Sequence, residues 1–220
     1  MVESEMKLPL SPTLSSAAVL CLTTLLVSLP ELQAAPRNSF PGRRVGGGTR
    51  GECAARSIVH LVPSSSVFAP GDLSVIALLE GPSSNPQPLE IVLMEASADG
   101  AFDAADAPIL QRELPGAKNR LALLSLPSSP RALRWESSYR CGQGGADDEF
   151  GFITASAPPA LSLLVPGSGD REDRNLQQVL ANLQESCGGT AALQPLKTAL
   201  RLGDEVINDS WPEQITVQCF

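Results

Sequence analysis

The chain carries one histidine, His60, and five cysteines. These side chains are the best suited to nucleophilic, metal or redox chemistry, so their surroundings decide which chemistry is open. His60 stands in the apolar run Ile58-Val59-His60-Leu61-Val62. A Ser-His-Asp or Cys-His site needs a recognisable nucleophile, and no Gly-x-Ser-x-Gly elbow occurs. The ligand spacing of a zinc site is missing as well. His60 therefore reads as a strand residue on an outer face. No two cysteines form Cys-x-x-Cys, which counts against redox catalysis.

Two acidic clusters invite a metal reading. Asp99, Asp103 and Asp106 lie in a Gly/Ala-rich loop, and Asp147-Asp148-Glu149 form a second group. Neither has the alternate-residue spacing and bidentate Glu of an EF-hand. Either is acidic enough to hold calcium loosely outside a cell; the plainer reading is a solvated turn. Paired carboxylates for glycoside hydrolysis would want an aromatic sugar platform, and aromatic residues make up only 4% of the chain. No cofactor signature is present.

The most distinctive run is Pro41-Gly-Arg-Arg-Val-Gly-Gly-Gly-Thr-Arg-Gly51. With Arg37 it gives residues 35–51 four arginines and no acid. Three adjacent glycines disfavour both helix and strand. The phosphate-loop reading fails on context: it needs a preceding strand, a Lys before the Ser/Thr and a following helix. Here Pro41 precedes and Arg50 follows Thr49. We read the segment as a flexible basic lead-in, with Arg43, Arg44 and Arg50 as candidate partner-binding residues.

Elements that would position these residues follow along the chain. Leu14 to Leu29 is an apolar run ended by Pro30, too short for the roughly 20 residues of a bilayer span. It reads as a secretory signal, residues 1–34, cleaved after Leu32-Gln33-Ala34. A start at Met6 in place of Met1 removes Glu3 and Glu5 and gives a normal basic leader. Residues 52–220 then carry a net charge of −10, against −8 for the full chain. An acidic body argues against general nucleic-acid binding and against adhesion to anionic lipid.

Residues 56–165 read as short strands separated by turns: 56–62, 73–80, 89–96, 119–126, 131–140, 150–156 and 161–165, with 109–114 a weaker candidate. Seven to eight such strands predict an antiparallel, Ig-like β-sandwich over 52–166. The pattern changes after Pro166-Gly167. Asp170 suits a helix N-cap, and Leu176, Val179, Leu180 and Leu183 share a face at helical spacing. A second helix is expected over Pro195 to Leu202, before Gly203. Ile215-Thr216-Val217 offers one further strand. The C-terminal segment 167–220 thus predicts a small helical module.

Removing the leader, with Cys21, leaves Cys53, Cys141, Cys187 and Cys219. In an exported chain four cysteines imply two disulfides with three possible connectivities. We favour 53–141 and 187–219, because each pair then fastens one module.

The Pro41–Gly51 run, then Cys53 and a strand ending Leu61-Val62-Pro63, resembles the opening of domain-of-unknown-function family 928, typical of cyanobacterial exported proteins. Leu133-Arg-Trp135, Tyr139-Arg-Cys141 and Phe150-Gly-Phe-Ile153 are similar to its later block. Two features depart from that pattern. Leu73–Glu80 lacks aromatic residues, and Trp135 precedes Tyr139. The resemblance implies an exported, β-rich protein and transfers no catalytic residue. The function expected is a non-catalytic periplasmic or extracellular module. It would bind an unknown protein or envelope polymer, without stable membrane insertion after signal cleavage. The alternative is a periplasmic hydrolase acting on a sugar or peptide.

Overall fold

The computed structural model describes residues 40–47, 56–103, 106–139 and 158–220. The expected leader, Arg50, Cys53, Cys141, the Asp147-Asp148-Glu149 cluster and the strand expected over 150–156 lie outside the described residues. The fold is mainly β, with eleven strands and two helices among those residues.

The six-stranded sheet has the order β1 (Val45–Gly46), β2 (Ile58–His60), β4 (Val75–Glu80), β7 (Arg120–Ser125), β11 (Gln214–Cys219), β10 (Thr190–Ala192). The five-stranded sheet runs β3 (Val67–Phe68), β9 (Ala160–Leu164), β8 (Leu133–Tyr139), β5 (Leu89–Glu95), β6 (Leu110–Leu114). Two sequence patterns separate the sheets. In β5 and β8 burial alternates along the strand, with Leu89, Ile91, Leu93, Trp135 and Ser137 facing inward. In β4 every residue is buried, and in β7 every residue but Ser125. A continuous apolar strand of this kind requires cover on both faces. One face of the six-stranded sheet packs on the other sheet. The opposite face packs on α1 (Arg171–Gln184), on α2 (Leu193–Ala199) and on Trp211, in one continuous core.

The expected purely antiparallel, Ig-like arrangement is corrected in two places. β11 pairs parallel with β7, and β3 pairs parallel with β9, so both sheets are mixed. Parallel neighbours need a long crossover, and the chain between β7 and β11 supplies one through β8, β9 and both helices. Segment 167–220, expected as a helical module, also contributes β10 and β11. The latter takes an interior place in the six-stranded sheet.

α1 begins where the sequence places its cap. The Asp170 carboxylate accepts from the backbone N–H of Glu172 and Asp173, and the Asp173 carboxylate accepts from Asp170 N–H, a complete capping box. Asp173 is fully buried and also accepts from Ala69 N–H at 3.2 Å. Gln177 donates to the Ala69 carbonyl at 2.6 Å, so two side chains of α1 grip the loop after β3. Leu176, Leu180 and Leu183 form the buried stripe. Between β3 and β4 the chain makes a single 3-10 turn, Gly71–Leu73.

Within the basic lead-in, the described residues 40–47 are corrected from a flexible arm to an edge segment carrying β1. β1 pairs antiparallel with β2, while Arg43 forms a bridge to Leu161 of the other sheet. Gly47 N–H donates to Pro158 O at 3.1 Å, and Arg44 N–H to Ser66 Oγ at 3.0 Å. The strand therefore joins the sheets along one side. Glycine is required by this close approach: a Cβ on Gly46 would sit 2.2 Å from Ala160 N. Gly47 has φ +90° and a Cβ there would lie 2.0 Å from Arg56 O.

A disulfide joins Cys187, just past α1, to Cys219 at the end of β11, as expected for this pair, with Cα atoms 5.7 Å apart. It closes a separation of 32 residues. Replacing both cysteines with Ser is expected to lower unfolding stability by about 3–4 kcal/mol through loss of chain restraint. Chemical denaturation of the oxidised wild type and the double variant checks this.

Candidate functional site

Three groups of polar side chains stand out against the core, and only one opens to solvent. It is a cleft of about 450 Å³ between the start of α1, the end of β2 and the residues just after α2. Its apolar floor includes Leu176, Val179 and Leu200, with Val62 and Pro63 on one wall. Arg44, Arg171 and Arg201 line it, as do Asp170 and Glu172. Arg44 stands just before β1, and its position is locked. Its Nη1 donates to Val62 O at 3.1 Å and its Nη2 to Arg201 O at 3.3 Å. Partial burial lowers the pKa of Arg44 from its ordinary value, while the Glu172 charge acts in the opposite sense. Arg171 and Arg201 are exposed and carry the cleft's outward positive charge. Arg201 also has φ +49°, so the turn after α2 aims its backbone carbonyl at Arg44. Asp170 is held in the helix cap and Glu172 stays exposed, so the cleft mixes an apolar floor with a rim of three arginines and two carboxylates.

Of the three arginines singled out from sequence, Arg44 lines this cleft. Arg43 lies elsewhere: its side chain is exposed, with Nε donating to Pro159 O at 3.3 Å. Arg171 and Arg201 were missed. Each stands in a helical or turn segment where a lone arginine has no sequence signal, and only the packing of α1 against α2 and β1 brings them to Arg44.

The second group corrects the reading of His60. The ring is not on an outer face but sealed between the sheets, 1% exposed. Register explains the reversal: His60 pairs with Leu78, and that side of β2 and β4 turns toward β8 and β9. The His60 ring stacks on Trp135, with centroids 3.5 Å apart. Its Nδ1 lies 2.8 Å from Ser162 Oγ and its Nε2 2.9 Å from Ser137 Oγ. Burial alone holds the imidazole well below its ordinary 6.5, so it is neutral. Ser-His spacing of this kind suits proton transfer, but both serines are fully buried and no carboxylate orients the ring.

The third group closes one end of the interior. Glu80 on β4 and Arg120 on β7 are register partners and both are fully buried. Arg120 Nε and Glu80 form an ion pair, and Arg56 Nη1 approaches Glu80 Oε1 at 3.3 Å. Arg56 Nε donates to Gly81 O at 2.7 Å and Arg120 Nη1 to Gln218 Oε1 at 3.3 Å. Burial raises the Glu80 carboxyl; Arg56 and Arg120 pull it down without cancelling that effect. The Tyr139 hydroxyl is pushed far above its ordinary 10.0, first by burial and then by the Glu80 charge. The guanidinium of Arg56 lies over the Tyr139 ring, 5.2 Å from its centroid.

The acidic loop near Asp99 serves its own turn. Asp99 Oδ1 accepts from Ser97 Oγ at 2.5 Å and from Ala101 N–H at 3.2 Å, and these hydrogen bonds lower its pKa. Gly100 has φ +83° at the corner of that turn. Asp103 and Asp106 are exposed, and among the described residues no three His, Cys, Asp or Glu side chains converge as metal ligands. Among the same residues no helix is long and apolar enough to cross a membrane. Comparison with family models, with curated proteins and with solved structures gave no match.

Glu80 is the buried group whose removal should be most damaging, because two guanidinium charges would lose their partner. Glu80→Gln is expected to reduce unfolding stability by about 3–5 kcal/mol. Urea denaturation at pH 7 is the measurement, and a loss under about 1 kcal/mol would mean that the pair carries little of the stability.

Proposed function

We propose that the protein is an exported, non-catalytic binding module, and that the Arg44 cleft takes an acidic partner with apolar side chains. One observation carries this reading: Arg44 is locked at the wall of the cleft beside two exposed arginines, above a leucine and valine floor. Concave sites with an apolar lining and a few fixed polar groups are where ligands bind. A protein or envelope polymer bearing carboxylates would meet both features. The hydrolase alternative lacks comparable support, since the one histidine and its two serines are closed to solvent.

A peptide alternating Glu and Leu, labelled with fluorescein, tests this by anisotropy. It should bind at low salt and weaken at high salt, where charges beyond about 3 Å are screened at 1 M. Changing Arg171 and Arg201 to Ala together should cost about 1–2 kcal/mol of binding with little change in thermal midpoint. A Lys/Leu peptide should not compete. Equal binding of the basic peptide, or an unaffected double variant, would sink the reading. Arg44→Ala should weaken binding and stability together, because its guanidinium also holds two backbone carbonyls.

Export is proposed on the apolar run 14–29, on the resemblance to family 928 and on cysteine usage. The second disulfide, Cys53–Cys141, is part of the same proposal. Arg56 packs on Tyr139, so the two cysteines are three and two residues from neighbouring side chains. A chain reaches at most about 3.6 Å per residue. Intact mass should show loss of residues 1–34, and labelling of the unfolded, unreduced protein should give no thiol adduct. A labelled Cys53 or Cys141 peptide would remove the second bond.

A further inference from the structure

His60 is the polar link between the two sheets in the middle of the sandwich. Its strand, β2, belongs to the six-stranded sheet, while Ser137 and Ser162 belong to β8 and β9 of the other. In the neutral ring one nitrogen donates to a serine and the other accepts a serine hydroxyl proton. The ring face is covered by Trp135. Every polar atom of the neutral imidazole is therefore satisfied without any buried charge.

We propose that His60 is an acid-sensitive lock: neutral, it joins β2 to β8 and β9, and on taking up a proton it releases them. Protonation places N–H on both nitrogens. The serine that had donated must turn its hydroxyl proton away, and a full charge is left between apolar sheets. The charged residues on the surrounding elements do not offset it. Arg44, next to β1, directs its guanidinium to Val62 O and Arg201 O in the cleft. Arg43 reaches Pro159 O. Arg134 and Glu136 alternate with Trp135 and Ser137 onto the outer side of β8. Glu80, two positions along β4 from the register partner of His60, is engaged by Arg56 and Arg120. β9 carries no charged residue.

The lock also bears on the edge segment that joins the sheets, since the backbone N–H of His60 donates to the Arg44 carbonyl at 2.7 Å. Its release loosens β1 as well as the sheet contact, whatever the cleft binds.

The sign follows from linkage. The unfolded chain binds a proton at its histidine below about 6.5, and the folded chain does not until far lower pH. Stability conferred by the neutral ring is present above about 6.5 and is lost as pH falls. Glu80, raised by burial, contributes with the opposite sign, so a comparison that keeps Glu80 isolates His60.

Because the chain has one histidine, its imidazole signals are unambiguous by NMR. In the folded protein they should not shift between pH 8 and 5. The unfolding equilibrium constant of the wild type should rise by up to tenfold for each pH unit below about 6.5. In His60→Gln, which cannot titrate, that dependence should be absent between pH 6.5 and 5. A folded-state imidazole titration near 6.5, or a wild-type slope in His60→Gln, would overturn the proposal. Should the variant fail to fold, the imidazole titration of the native protein decides alone.

Discussion

The structure depends on covering both faces of β4 and β7. Apart from Glu80, Arg120 and Ser125 at their ends, their residues are apolar without alternation, so half of them point away from the second sheet. Val75, Ala77, Leu79, Leu121 and Leu123 would face water if the helices were absent. Apolar area returned to water costs roughly 25 cal/mol per Å². α1 and α2 are therefore an essential third layer and not an appendage. The capping box, the grip of Asp173 and Gln177 on Ala69, and the disulfide at Cys187 all hold α1 in that place. The cleft at Arg44 is a by-product of the same packing, formed where the start of α1 meets the residues after α2.

The interior solves two polar problems in different ways. At its centre, His60 is kept neutral and satisfied by serine hydroxyls, which leaves no charge to be desolvated. At one end, Glu80 stays beside two arginines, where ion pairing offsets part of a large burial cost. Both groups lie on the inward-facing side of the six-stranded sheet, two register positions apart. The sandwich is thus tied by polar contacts as well as by its leucines, and these contacts fix which faces meet.

Much of the strand order was open to reading from local pattern. β2, β4, β5, β7 and β8 fall inside runs marked by β-branched or leucine-rich stretches between Pro and Gly turns, and β9 begins one residue before its run. β1, β3 and β10 were not anticipated, because they are only two or three residues long and, unlike β2, lie in no longer β-branched run. Gly46 and Gly47 look like breakers in sequence; the reason for them is a backbone contact with Ala160 and Arg56, far along the chain or across a turn. The second helix starts at Leu193 and not at Pro195, directly after Ala192, which ends the β10 pairing opposite Gln214.

By itself the sequence determined the elements whose causes are local. The Asp170 cap, the stripe of Leu176, Leu180 and Leu183, and the pairing of Cys187 with Cys219 within one short segment are of this kind. Tertiary structure alone decided the direction of β11, the burial of His60 and the meeting of Arg44 with Arg171 and Arg201. A strand's residue types say that it has two faces but not which partner covers each, and a one-residue change of register would exchange them. His60 went inward because its register with Leu78 aims it at Trp135 and two serines more than 70 residues away. No window along the chain contains that information.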